Sequence, residues 1–408
     1  MTIAQGIKKQ TAFKKQAGLG SVASGAGGQI MRRVTAVFTL AKQTYESDEI
    51  VSHQQSTGSR HGLQSVTGKV SGLLSPGTYA QFVASCLRKD FASGSSTGAL
   101  TNVTAATTGG ATGTFTRAAG SFITDGFKQF DVMRWAGFAG GSATNNNAHN
   151  FLITNLTATV MTVLALDGQP VVNDAAGDSV TGTVVGKKTI APLTGHTDDY
   201  FTFEDWYPDV AQSEQFQDCK FNQMAVDLPA SGNAKVSFDL LGLKRNLNVV
   251  QQFTSPTAET STGILAAVTG VLLINGTQYV TVTGLKLSLD AGASADGPVV
   301  GSNFSPDISR GRIKVTGSFT AYFQDSVLNT AFQNESVLSL AVVLAFDSTP
   351  NCDFVSFVCG RLKLGSDTPD DGEKGIVRSY SFVAEINTAG GAALANDQTI
   401  MAVQDSQA

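Results

Sequence analysis

Hydrophobic and polar residues alternate with a period of two along much of this chain, the pattern of half-buried β-strands. Val34, Ala36, Phe38 and Leu40 fall on one face of such a strand, and Thr35, Val37 and Thr39 on the other. A polar loop follows, with Asp48 and Glu49 ahead of Ile50 and Val51, then Ser52 to Arg60. Leu63 to Leu74 predicts a second strand, interrupted by Gly68 and Gly72. After the turn residues Ser75, Pro76 and Gly77 the period changes. Tyr79, Phe82, Val83, Cys86 and Leu87 recur at helical spacing and predict a helix of about three turns.

The same order returns further along. Val280, Val282, Leu285, Leu287 and Leu289 predict a strand, and Ile313, Val315 and Phe319 to Phe323 the next. Asp325 and Ser326 then precede a helix carrying Val327, Leu328, Ala331 and Phe332. Gly62-Leu63-Gln64-Ser65-Val66-Thr67-Gly68 is echoed by Gly311-Arg312-Ile313-Lys314-Val315-Thr316-Gly317, an offset of 249 that holds without a gap from Val34 to Gly68. Repetition at so long a period is a statement about architecture.

Residues 97–193 have no counterpart in the second copy. Thr114 to Arg117, Asp131 to Trp135, Phe151 to Thr154 and Thr159 to Val163 are strand patterns, punctuated by Gly126, Gly137, Gly168 and the Asn145-Asn146-Asn147 turn. Copy one resumes near His196, where Tyr200 to Glu204 answers Leu340 to Phe346. Phe221 to Leu228 and Lys235 to Gly242 predict a hairpin. Phe354 to Leu364, a polar loop from Gly365 to Glu373 and Gly375 to Ile386 repeat it. A polar link runs from Thr254 to Thr262, and Ile264 to Ile274 reads as an extra strand pair or a short β-link. Lys8, Lys9, Lys14 and Lys15, followed by the Gly- and Ser-rich stretch to Gly28, read as a solvated arm. The expected organisation is a flexible arm over 1–30, a first unit over 31–96 and 194–250, an inserted all-β domain over 97–193, and a second unit over 251–408.

Composition narrows the function. Of 408 residues, 42% are hydrophobic and 15% charged, with 43 glycines and 10 prolines, which favours strands and tight turns. A net charge of −5 argues against a protein that binds nucleic acid by neutralising phosphates. Cys86, Cys219, Cys352 and Cys359 have no metal-binding or paired spacing and read as buried free thiols. No secretory signal or membrane helix is predicted, so the expectation is synthesis in a reducing cytoplasm.

Catalytic motifs are missing. There is no phosphate-binding glycine loop, no HExxH and no GxSxG. His53, His61, His149 and His196 are scattered. Glu204 and Asp205, between Phe203 and Trp206-Tyr207, form an acid pair of the kind a glycosidase uses, but a strand end with solvated acids and packed rings is the favoured reading. Asp367, Asp370, Asp371 and Glu373 miss the spacing of a calcium loop and read as a solvated turn. No enzyme activity and no cofactor are expected.

Several motifs resemble the major tail tube proteins of long-tailed, siphovirus-like bacteriophages. They are Gly68-Lys69-Val70-Ser71-Gly72 and Ser213-Glu214-Gln215-Phe216-Gln217-Asp218-Cys219-Lys220 leading into Met224 to Pro229. Gly232 and Val236 to Gly242 follow, and Gly120 to Phe127 with Asn145 to Asn147 is similar to an accessory domain of such proteins. The resemblance covers most of residues 31–405. It implies a mainly β fold: two tandem tail-tube-like β-sandwich or barrel units, each flanked by a short α-helix, with the inserted domain on the exterior. It also implies stacked rings, here three chains giving six units, forming a conduit for double-stranded DNA that passes without specific binding. The implied partners are further copies, the tape measure, the tail terminator and the tail tip. The implied location is the virion tail, assembled in the host bacterial cytoplasm. The loop with Asp48, Glu49 and His53, and its counterpart with Asp296 and Asn303, are the candidate inter-ring contacts. Net negative charge is compatible with an acidic lumen. The alternative is a carbohydrate- or receptor-binding β-protein of a tail fibre or adhesin, using exposed Trp135, Trp206 and Tyr207.

Overall fold

The computed structural model of the chain describes residues 3–53, 55 and 57–408. Its principal strands are β1 (Gln10–Lys15), β2 (Thr35–Glu46), β3 (Ser59–Leu73), β4 (Phe201–Tyr207), β5 (Gln212–Pro229), β6 (Lys235–Gly242), β7 (Val282–Asp290), β8 (Lys314–Tyr322), β9 (Leu338–Ala345), β10 (Phe354–Pro369), β11 (Val377–Ala384) and β12 (Ala402–Asp405). Two short helices, α1 (Ala80–Leu87) and α2 (Val327–Gln333), accompany them. The protein is mainly β, built as packed sheets.

Eight strands join edge to edge, all antiparallel, in the order β2-β3-β6-β5-β7-β8-β11-β10. The offset of 249 holds partner for partner within this layer: Phe38 lies opposite Gly68, and Leu287 opposite Gly317. Both glycines face the core, beneath large neighbours. A Cβ on Gly68 would stand 2.6 Å from Phe38 and 2.7 Å from Leu240; one on Gly317 would stand 2.3 Å from Phe382 and 2.5 Å from the Lys286 carbonyl. The neighbouring side chains occupy the space a Cβ would need.

β5 and β10 are long because each serves two layers. A bulge at Phe221–Gln223 or Leu364–Ser366 bends the strand. The first half of β5 pairs with β4, which pairs with β1. The first half of β10 pairs with β9, which pairs with a strand at Gly270–Ile274. The core lies between the layers. Phe82 of α1 is its hub on one side, with ring centroids 4.6 Å from Phe13, 4.5 Å from Phe221 and 5.4 Å from Phe238.

Several expectations are corrected. The arm is not free over its middle: β1 completes the β4 layer, with Ala12 and Phe13 buried. Three of its lysines are engaged, Lys9 with Asp205 at 2.7 Å, Lys15 with Asp199 at 2.8 Å, and Lys14 donating to the Ser24 and Ala26 carbonyls. Two apolar residues suffice for a strand because the exposed edge of β4 supplies the rest. Ile264 to Ile274 yields the strand Gly270–Ile274, and the polar loop after Leu364 remains strand to Pro369. α1 spans only eight residues.

Six strands between Val103 and Val184 form a separate sheet around Phe115, Phe122, Phe127, Trp135 and Phe151. This sheet packs on the strands of the second half of the chain, with Phe130, Val132, Leu152 and Leu164 against Leu273, Ala341, Val343 and Phe354. Polar groups reinforce the contact. Lys188 is clamped between Asp131 and Asp397, the latter at 2.5 Å. Burial alone would lower the Lys188 ammonium, but the two carboxylates hold it above the ordinary lysine value. Lys128 Nζ donates to the Gly391, Ala392 and Leu394 carbonyls at 2.8, 2.9 and 2.7 Å.

Candidate functional site

Each strand of the eight-strand layer sends one face into the core and leaves the other open. The open face is concave. β5, β7, β8 and β11 bound a depression of about 520 Å³ lined by Ala225, Asp227, Lys286, Ser288, Thr316 and Ser381. A second of about 290 Å³ lies by Val37, Thr67, Lys69 and Asp239. Most side chains here are small, and the lysines are matched. Lys69 lies opposite Asp239, Lys286 opposite Asp227, and Lys314 opposite Asp290; Asp227 also faces Lys235. This face is not acidic: Lys69, Lys235, Lys286 and Lys314 outnumber Asp227, Asp239 and Asp290 by one, and each carboxylate sits across the ladder from an ammonium. The sheet at Val103–Val184 docks on the outward face of β9 and β10, the opposite side of the molecule from this concavity.

The layer ends in two open edges. Among the described residues β2 pairs only with β3, and β10 beyond Leu362 pairs only with β11. Between them, β5 and β7 are joined from Gln223–Asp290 to Pro229–Gly284. Side chains reinforce this junction. Arg88, in the left-handed conformation (φ 61) that ends α1, donates at 2.6 Å to both the Ala291 and Gly311 carbonyls. Arg310 returns a bond to the Ser85 carbonyl at 2.7 Å. Lys220, 2% exposed at its side chain, pairs with Asp198 at 2.9 Å and donates to the Ile308 carbonyl at 2.7 Å. Sequence reasoning missed this cluster, since its members lie far apart along the chain.

The loop residues chosen from sequence separate into two environments. Asp48, Glu49 and His53 are exposed on the β2–β3 connection, where the Glu49 N–H donates to Ser47 Oγ at 3.3 Å and His53 Nδ1 accepts from the Gln55 N–H at 3.2 Å. Gln54 and Ser56 of that loop lie outside the described residues. Asp296 and Asn303 belong to the β7–β8 connection. Asp296 accepts from Ser309 Oγ at 2.6 Å, and the Asn303 carbonyl accepts from the Gln64 N–H of β3 at 2.7 Å. Lys244 Nζ stands 3.7 Å over the neighbouring Phe304 ring. Ile50 and Val300, on the same two connections, are fully exposed branched aliphatics in long polar loops.

The acid pair is buried, which corrects its reading as solvated. Glu204 accepts from Ser213 Oγ at 2.6 Å and from the Gln252 and Phe253 N–H groups at 2.6 and 2.8 Å. Asp205 accepts from Thr11 Oγ1 at 2.5 Å beside Lys9. Burial pushes its carboxyl up while Lys9 pulls it down. Both acids tie strands together. Trp135 is buried in its own core, and Trp206 and Tyr207 are half-buried. The four cysteines are free and buried, and burial pushes Cys86 and Cys359 up to about 12.

A scan against family models matches residues 2–384 to the family described as phage tail tube protein. A search of curated proteins gives no match. The matched span contains both halves of the eight-strand layer, its concave face, the junction at its middle and the docked sheet. The chain belongs to the phage tail tube protein family.

Proposed function

We propose that three copies of this chain close into a ring of six tube units, and that such rings stack into the hollow conduit of a siphovirus-like tail, through which DNA is ejected into the host. The β5–β7 junction carries the reading: two similar four-strand halves are already joined edge to edge inside one chain, and the same two kinds of strand stand open at its ends. Open edges are a hazard to a monomer and the natural contact of a closed assembly. The concave face is the lumen in this scheme. Its lysines outnumber its aspartates by only one and each aspartate faces a lysine, so the field is weak and passing phosphates are neither held tightly nor strongly repelled. The docked sheet decorates the exterior three times per ring.

The tips of the β2–β3 and β7–β8 loops reach the next ring, with Asp48, Glu49 and His53 presented by one and Asp296 and Asn303 by the other. Tape measure, terminator and tip proteins meet the ends of the stack, which is assembled in the bacterial cytoplasm. Electron microscopy of the purified protein, with mass determination of single rings, tests the scheme. Rings of three chains with an open centre are expected. Monomers at every concentration, or rings of six chains, would overturn it.

A further inference from the structure

The junction inside the chain is a template for the junction between chains, and the two differ in chemistry. Gln223 and Ser366 each follow the bulge of their strand, lying opposite Asp239 and Ser381. Those residues in turn lie opposite Lys69 and Ser318, which are 249 apart. β10 therefore stands in the second half where β5 stands in the first, and β2 stands where β7 does. Inside the chain Gln223 faces Asp290 and Ala225 faces Ser288. Carried to the open edges, this register puts Ser366 opposite Ala41 and Thr368 opposite Thr39 of a second copy.

The helix ends correspond too. Arg88 and Glu335 both close their helices with positive φ, 61 and 49, and the following N–H groups bond back to Ala84 and Ala331. Inside the chain, Arg88 reaches carbonyls of Ala291 and Gly311. At the outer edge the same place is held by Glu335, 83% exposed and 3.7 Å from Lys363. An ionised carboxylate cannot bond carbonyls; it needs donors, and a cation is the strongest. The facing positions, 249 lower, are Lys42 and Gly62, next to Arg60 and His61. Lys42 and Arg60 are exposed and form no ion pair among the described residues.

The backbone ladder is also weaker there. The Asp370 N–H points inward to Val377, so the nitrogen of Pro369 faces the open edge and has no proton to donate. Val226 holds the matching place inside the chain.

Resting on the ring reading, we infer that the contact between chains is a charge-selected seam, in which Glu335 of one copy docks on Lys42 and Arg60 of the next. At the corresponding place within the chain Arg88 uses uncharged carbonyl acceptors instead. Proline and charge together make the outer edges prefer one partner in one register.

The test uses the full chain. E335K is expected to raise the concentration needed for ring formation about tenfold at low salt, and adding K42E to bring it back within about threefold. Each variant should melt like the parent, since Glu335 is exposed. Cysteines at Thr39 and Thr368 are expected to cross-link neighbouring copies, whereas Ala41→Cys with Thr368→Cys, two residues out of register, should not. If the unaltered protein forms rings but E335K assembles equally well, or the shifted pair cross-links in place of the matched one, the seam is wrong and the ring stands. If the unaltered protein never assembles, the ring reading itself fails.

Discussion

The two halves of the eight-strand layer share a register and one continuous core, but fill that core differently. In the first half, Phe13, Phe82, Phe201, Phe203, Phe221 and Phe238 gather around α1. In the second, Leu285, Leu287, Leu340 and Val342 line the core beside a smaller group of rings, Phe319, Tyr380 and Phe382, and α2 buries only Leu328. What has stayed constant is the glycine under each large neighbour and the bulge that turns each long strand. Packing tolerates exchange of aromatic for aliphatic volume, while the bend of a strand and the room beneath a ring admit few alternatives.

The two halves differ most at their helices. Phe82→Ala should destabilise the protein by about 4 kcal/mol and Leu328→Ala by about 2 kcal/mol, read by chemical denaturation. Equal effects would mean that α2 is as deeply built in as α1. Lys188→Met, which strands Asp131 and Asp397 without a cation, is expected to cost about 3 kcal/mol and to make the 97–193 segment accessible to limited proteolysis. Unchanged resistance would show that the apolar contact alone holds it.

The paired glycines sharpen the comparison. Gly317→Ala should cost about 3 kcal/mol because the new Cβ meets a backbone carbonyl, whereas Gly68→Ala meets only side-chain ends and should cost about 1 kcal/mol. Thermal melting of the two variants checks the order.

The smallest effect concerns Asp405, on β12, which lies opposite Val355 at the start of β10; at the start of β5, Ser213 lies opposite the uncharged Asn248 of the strand Lys244–Asn248. Burial pushes the Asp405 carboxyl up to about 6, against the pull of N–H groups from Gln407 and Gly77. The folded chain therefore binds this proton more tightly than the unfolded one. Stability from this group is lost as pH rises from about 4 to about 6, at up to roughly 1.4 kcal/mol per pH unit. Asp405→Asn should flatten that slope in melts run across the window; an unchanged slope would place the titration elsewhere.

How legible each part was follows from where its information lies. The strands of the long layer were readable because one buried face imposes a period of two on neighbouring residues. β1 was not, since Ala12 and Phe13 sit between lysines and look like strand only beside β4. Glu204 and Asp205 misled for a related reason: a carboxylate in sequence looks solvated until the N–H groups that satisfy it, fifty residues on, are brought to it. The candidate loop residues lie on the two long connections, and the hold of Asn303 on β3 could not be read from either segment alone.

By itself, then, the sequence determined the strand pattern, the repeat at 249 and the glycines that mark it, all properties of residues near one another or repeated along the chain. Three facts emerge only in three dimensions: the interrupting segment rides on the second half, each aspartate of the concave face lies across from a lysine, and Arg88 and Glu335 occupy equivalent places with opposite charge. Those facts depend on strands and helix ends far apart in sequence, and local periodicity carries no record of which distant edge a strand will meet.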